Sequence, residues 1–203
     1  MITRRSMFCG AAALGLLGAT GPAWAADPPA TLDKFYAVLL AVMKDGPKLG
    51  FAGRKDKLTP AMEDAFDLAL MTRLVVGLQW QSISPPDQQQ LVAAFSDFSI
   101  ASYASQFDDY SGESFEVQPK ADAAPGNDVI VRTKLKPTDD KPVPLDYLMR
   151  NEQGKWRIID VYLNGTVSQL AARRSEFSSV LRQSGVSGLV SLLKQRAAQL
   201  ATR

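Results

Sequence analysis

Apolar residues recur at Leu32, Phe35, Tyr36, Leu39, Leu40 and Met43. Steps of three and four predict a helix capped at Thr31 and stopped at Gly46-Pro47. Gly50 to Leu58, rich in glycine, lysine and arginine, reads as a loop. Thr59-Pro60 places a cap before a first-turn proline and opens a second helix, whose stripe is Met62, Phe66, Leu70, Leu74 and Leu78. Ser84-Pro85-Pro86-Asp87 opens a third, predicted to be the longest, with Leu91, Phe95, Phe98, Ser102 or Tyr103, Phe107 and Tyr110 on one face.

The period then changes to two. Phe115 and Val117 alternate with Glu116 and Gln118; Val129, Val131, Thr133 and Leu135 alternate with Ile130, Arg132 and Lys134; Val143, Leu145, Tyr147 and Met149 follow. Glu152-Gln153-Gly154 reads as a tight turn into a last strand, Trp156 to Leu163. Four strands joined by short turns predict an antiparallel meander. Past Gly165 the helical period returns, with Leu170, Phe177 and Leu181 on one face up to Ser184-Gly185, and Leu189, Leu192 or Leu193, and Leu200 beyond it. Helices, then strands, then helices predict an α+β domain: a four-stranded antiparallel sheet covered on one face by helices from both chain ends. No internal repeat or linker divides residues 26–203, so a single domain is expected there.

Residues 1–25 have a different character. Arg4-Arg5, the apolar stretch Met7 to Gly18 and Ala23-Trp24-Ala25 are the three parts of a secretory signal, with cleavage expected after about Ala25. The apolar stretch falls short of the ~20 residues that span a bilayer. Arg4-Arg5 before Ser6-Met7-Phe8 fits a twin-arginine signal and an ordinary positive segment equally. Cys9, the one cysteine, would leave with that segment, so the exported chain would hold its fold without disulfides.

Of the 23 basic residues two are Arg4 and Arg5, which leaves 21 against 21 acidic ones in the expected mature chain. Without a long basic run there is no footprint for nucleic acid and no polybasic membrane patch. The chain has no histidine, so zinc sites, cysteine nucleophiles and Ser-His-Asp triads are excluded from that mature chain. No metal or cofactor is expected. Asp108-Asp109 and Asp139-Asp140 read as turn residues rather than metal pairs.

Three features remain as candidate chemistry. Trp156 supplies a large apolar area with one donor. On strict alternation Asp160 shares a face with Trp156 and Ile158, which would aim a carboxylate at an apolar interior or mark an edge. Arg173-Arg174 with Glu176 reads either as a solvated face with local ion pairs or as a contact for anionic headgroups or a docking partner. Periodicity does not distinguish a filled core from a hollow one.

The stretch "YLMRNEQGKWRIIDVYLNGTVSQLAARRSEF" resembles the signature of the toluene-tolerance family, the MlaC-type periplasmic lipid-binding proteins, through Tyr147, Gly154, Trp156, Arg157, Ile158, Asp160, Val161, Gly165, Ser168, Arg174, Glu176 and Phe177. An earlier block is similar through Phe66, Asp67, Met71, Arg73, Gly77, Trp80, Phe95, Phe98, Tyr103, Tyr110 and Gly112. Gly165-Thr166-Val167-Ser168 carries one residue more than the usual motif and resembles members associated with hopanoid biosynthesis.

The resemblance implies a periplasmic carrier without catalytic residues. It would hold the acyl chains of a phospholipid or hopanoid-type lipid in an apolar cavity between sheet and helices, and pass lipid between complexes of the inner and outer membranes. The inward stripes would then line the cavity: Phe66, Leu70, Leu74, Phe95, Phe98, Tyr103, Phe107, Phe177 and Leu181 from the helical segments, and Val129, Val131, Tyr147, Met149, Trp156 and Ile158 from the strands. Asp160 and Gly165 would form a structural corner. Two rival readings are an enzyme acting on an isoprenoid-like substrate with Asp160 as base, and a periplasmic binding partner with a solid core.

Overall fold

The computed structural model describes residues 27–202, so the expected export signal lies outside the described residues. Helix α1 spans Pro28–Lys44. It starts ahead of Thr31 because Pro28 and Pro29 fill a first turn whose N–H groups have no intrahelical partner in any case. Helix α2 spans Gly46–Ala65, so the predicted loop over Gly50 to Leu58 is helical. Only Gly50 leaves helical geometry there, at φ 61°, a kink that glycine tolerates. The polar composition of that stretch hides an anchor. Arg54 is buried and donates from Nε to the Ala104 carbonyl at 2.7 Å and from Nη1 to the Gly46 carbonyl at 3.0 Å.

The stripe predicted from Met62 to Leu78 is also interrupted. Phe66 is extended (φ −106°, ψ 142°), and Asp67 caps helix α3, Leu68–Val76, by accepting from the Leu70 N–H at 2.8 Å. The interruption rotates the inward face, so α3 buries Leu68, Met71, Val75 and Val76 while Leu70 and Leu74 are half-buried. Leu78, in the short 3-10 turn after α3, is 94% exposed. Helix α4, Pro85–Gln106, starts from the expected Ser84 cap, and Phe107 and Tyr110 fall beyond its end. Helix α5, Gln169–Leu200, is longer than α4 and kinks at Gly185, where a boundary was predicted.

The sheet has seven strands: β1 Ser114–Val117, β2 Asp122–Ala123, β3 Asp128–Val131, β4 Thr133–Lys136, β5 Val143–Glu152, β6 Lys155–Leu163 and β7 Val167–Ser168. The strand predicted from Val129 to Leu135 is divided at Arg132. Its halves, β3 and β4, pair with the two halves of β5. The side chain of Asp146 causes the break by taking the Thr133 N–H at 3.2 Å and the Arg132 guanidinium at 2.6 Å. With β3 and β4 counted as one interrupted strand, the predicted four-stranded meander is present, extended by the two-residue strands β2 and β7. Helix α1 lies on β1, β3 and β6, and α4 packs between α5 and α2. The result is an α+β fold with one sheet face covered by helices from both ends of the chain.

Candidate functional site

The site is set by one irregularity between β5 and β6. Leu148 pairs with Asp160 but Met149 pairs with Ile158, so Ile159 is an extra residue, a β-bulge. The bulge inverts the alternation that follows it. Val161 and Leu163 join Ile158 on the helix-facing side, opposite Tyr147 and Leu145, and Asp160 turns to the outer face. The Ile158 carbonyl at the bulge accepts the Asp67 N–H at 2.9 Å, and Phe66 makes a bridge beside Ile158. The α2–α3 junction is thereby fastened to the sheet, and Phe66 is driven inward to 2% exposure.

Around Phe66 stands a group of aromatic rings. Phe35 meets Phe66 edge-on at 5.2 Å and Tyr103 at 5.6 Å; Phe66 meets Tyr103 at 5.6 Å; Tyr36 stacks on Phe115 at 4.1 Å and meets Tyr147 edge-on at 5.9 Å. On the α1 side of these rings Leu32, Phe35, Leu39, Val131, Met149 and Ile158 are all buried. On the α4 side lies a cavity of about 170 Å³, walled by Phe95, Phe98, Tyr103 and Phe107 from the α4 segment and by Leu145, Tyr147, Val161 and Leu163 from the sheet. Met62, Phe66, Leu68 and Met71 close one end; Gln169, Leu170 and Arg173 from the first turns of α5 border it as well. The space exists because α4 presents Ser99 and Ser102 to it. Both hydroxyls donate to carbonyls of their own helix, those of Phe95 and Phe98, at 2.8 and 2.7 Å, which leaves room without an unpaired donor.

Of the residues predicted to line a cavity, Phe66, Phe95, Phe98, Tyr103, Phe107 and Tyr147 do so. Val129, Val131, Met149 and Ile158 face the same way but belong to the filled side, with Val131, Met149 and Ile158 fully buried. Trp156 is half-buried at the start of β6 and packs on that core. Phe177 and Leu181 are buried on α5, the helix that packs on α3 and α4, and neither borders the cavity. Leu70 and Leu74 are turned away by the helix break at Phe66. Reading the chain missed Leu68 and Met71 because of that break, and Val161 and Leu163 because of the bulge. It also missed the lining roles of Ser99 and Arg173, although Arg173 was marked as a candidate headgroup contact.

Asp160 does not face the cavity. Its carboxylate accepts from the Ser168 hydroxyl and from the Leu170 N–H at 3.2 Å, while Ser168 Oγ accepts the Ala171 N–H at 2.9 Å. Together they cap α5, which makes Asp160 a corner residue. Gly165, at φ 71° beside Asn164 at φ 54°, makes the reversal from β6 into β7; a Cβ there would lie 3.2 Å from the Asp146 carboxylate. Among the described residues no carboxylate lines the cavity. Burial pushes the Tyr103 hydroxyl up to about 12 and Tyr147 well above its ordinary value, so both stay neutral. Arg173 is shifted down, chiefly by burial and next by the nearby Arg196.

An α+β domain with a largely apolar cavity between its helices and its sheet has the architecture of a site that suits apolar molecules. The MlaC protein family matches residues 33–195, and the chain belongs to that family. Among solved structures, it is similar to a phospholipid-binding protein from Ralstonia solanacearum in complex with a phospholipid. The two are 28% identical, with a TM-score of 0.72, over 87% of this chain and 99% of that one.

Proposed function

We propose that the protein is a periplasmic lipid carrier, exported by its N-terminal signal, which shelters the acyl chains of a phospholipid or hopanoid-type lipid and passes the lipid between complexes of the inner and outer membranes. The observation that carries this reading is the cavity between α4 and the Leu145–Leu163 end of the sheet. Family membership and the phospholipid held by the Ralstonia relative support it.

Each buried CH₂ is worth roughly 0.8 kcal/mol, so an ordinary acyl chain resists crossing bare water by on the order of 10 kcal/mol. A cavity about as apolar as the bilayer removes most of that barrier without a nucleophile or cofactor. At about 170 Å³ the cavity lies below the ~300 Å³ of small-molecule pockets, so tails enter only as the walls part. Met62 and Met71 are flexible enough to yield first. An enzyme using Asp160 as base is disfavoured by the position of that carboxylate under the α5 cap. Organic-solvent extraction of the purified protein tests the proposal. Intact lipid near one per chain is expected; protein that yields no lipid, and takes none from vesicles, overturns it.

A further inference from the structure

We propose that the short 3-10 turn after α3, Gly77–Ser82, is a membrane-contact site that seats Leu78 in the interface of an anionic bilayer, with Arg73 and Arg174 as its cationic flank. The surface is separate from the cavity, to which α3 contributes only Leu68 and Met71. The proposal therefore stands apart from the carrier reading.

Among the described residues Leu78 is the most exposed large apolar side chain, at 94% against 49% for Val167 and 39% for Leu163. The turn that displays it is tied down. Gly77 leaves α3 at φ 69° and ψ −139°, a conformation open to glycine. The Ile83 N–H donates to the Trp80 carbonyl at 3.2 Å, and Gln88 Nε2 donates to the carbonyls of Trp80 and Ile83 at 3.0 and 3.2 Å. The Ser82 hydroxyl donates to the Gln79 carbonyl at 2.8 Å, while Trp80 and Ile83 pack on the core. Leu78 is thus held outward by a fixed backbone, so burying it against a partner needs little further ordering. Gly77 and Trp80, signature residues that take no part in the cavity, serve this display.

The surrounding charge selects the partner. From Leu68 to Pro86 the chain carries a single charged residue, Arg73. Arg174 joins it from α5 by donating to the Leu74 carbonyl at 2.7 Å, which sets its guanidinium at the last turns of α3. Both arginines are exposed, and among the described residues neither has a carboxylate within 4 Å. Glu176, the acid nearest Arg174 in sequence, holds Arg196. A stable protein partner needs a broad patch, about 800 Å² a side with several anchors, whereas the other exposed residues of this turn are Gln81 and Ser82. A lone apolar tip with an indole at its base and a cationic flank suits an anionic membrane surface instead. So few contacts give weak, reversible binding.

The test takes the chain purified after export and measures its co-sedimentation with vesicles of phosphatidylcholine alone or mixed equally with phosphatidylglycerol. Wild type is expected to partition onto the mixed vesicles, less onto the neutral ones, and to be released by salt. Leu78→Ser should lower the partition coefficient about tenfold, the worth of one buried leucine. Arg73→Gln should lower it about fivefold on mixed vesicles and leave it unchanged on neutral ones. Val167→Ser, a matching change at another exposed apolar position, should bind as wild type does. Because Leu78 is so exposed, Leu78→Ser should melt with wild type, which separates lost contact from lost fold. Wild type that sediments with neither vesicle overturns the membrane assignment and leaves the turn to a protein partner. Leu78→Ser that binds like wild type, or Val167→Ser that loses as much, overturns the role of Leu78; equal partition onto both vesicles overturns the role of the arginines. Lipid extracted per chain should be the same in every variant, so the carrier reading fails or survives on that measurement alone.

Discussion

The two ends of one sheet face make opposite interiors. At one end Val131, Met149 and Ile158 are fully buried beneath α1, which brings Leu32, Phe35 and Leu39. At the other, Leu145, Val161 and Leu163, on the same two strands β5 and β6, keep part of their surface free around the cavity beneath α4. The strands are similarly apolar at both ends. What differs is the opposing layer: Leu32, Phe35 and Leu39 of α1 at one end, and at the other α4, where Ser99 and Ser102 stand among Phe95, Phe98 and Tyr103. A cavity here is made by what the covering helix leaves out.

The comparison breaks most sharply at the filled end. Ile158→Ala should cost about 2–5 kcal/mol in chemical denaturation, the range for truncating a core aliphatic, with lipid per folded molecule unchanged. Trp156→Ala should behave alike with a smaller loss, since Trp156 is half-buried and off the cavity. Reduced lipid in folded Ile158→Ala would mean the two ends are one compartment.

Removing Asp160 strikes the boundary between them. Asp160→Ala leaves the Leu170 N–H and the Ser168 hydroxyl without their acceptor, and a loss of about 1–3 kcal/mol is expected. Lipid uptake should fall only as far as the start of α5 frays, so hydrogen exchange confined to residues 169–173 is the signature. Protection unchanged in that segment would remove Asp160 from its corner role.

Filling the hollow end should reverse the pattern. Ser102→Phe fills part of the hollow end, so stability should fall by no more than about 1–3 kcal/mol, the range for a small-to-large change, while extracted lipid falls severalfold. Lipid retained at the wild-type level would place the tails outside the cavity.

The smallest expected effect is electrostatic. Lys155, the first residue of β6, pairs with Asp64 of α2 and holds the Asp64 carboxyl below the ordinary range, with hydrogen bonding to Lys155 the main cause. A depressed folded-state pKa contributes stability above the ordinary carboxylate range, lost as pH falls through the folded value. Both side chains are largely exposed, so Asp64→Asn should cost under about 1 kcal/mol at pH 7. Near pH 2 the variant and wild type should converge, and urea titrations at the two pH values measure the difference.

The signature residues that tie this chain to its family mostly build the frame. Asp67 caps α3, Ser168 and Asp160 cap α5, Arg174 fastens α5 to α3, and Glu176 holds Arg196. They were legible because capping and turn chemistry is local. The cavity was legible only in part, through aromatic positions on α4 whose helix was read correctly from Ser84.

By itself the sequence determined the elements and their inward faces: period 3.6 from Pro85 to Gln106, period 2 across β5 and β6, and chain reversals at Gly154 and Gly165. Tertiary structure alone decided which inward residues meet solid packing and which meet space. An inward stripe specifies a direction, whereas a cavity is a relation between elements distant in the chain. Inserting Ile159 as a bulge moved Asp160 out and Val161 in, and the extended break at Phe66 replaced Leu70 with Met71 at the cavity wall. Each changes the register of everything beyond it by a single residue. Neither leaves a mark in composition, because both are held by a hydrogen bond from Asp67 to Ile158, between parts of the chain that meet only once it has folded.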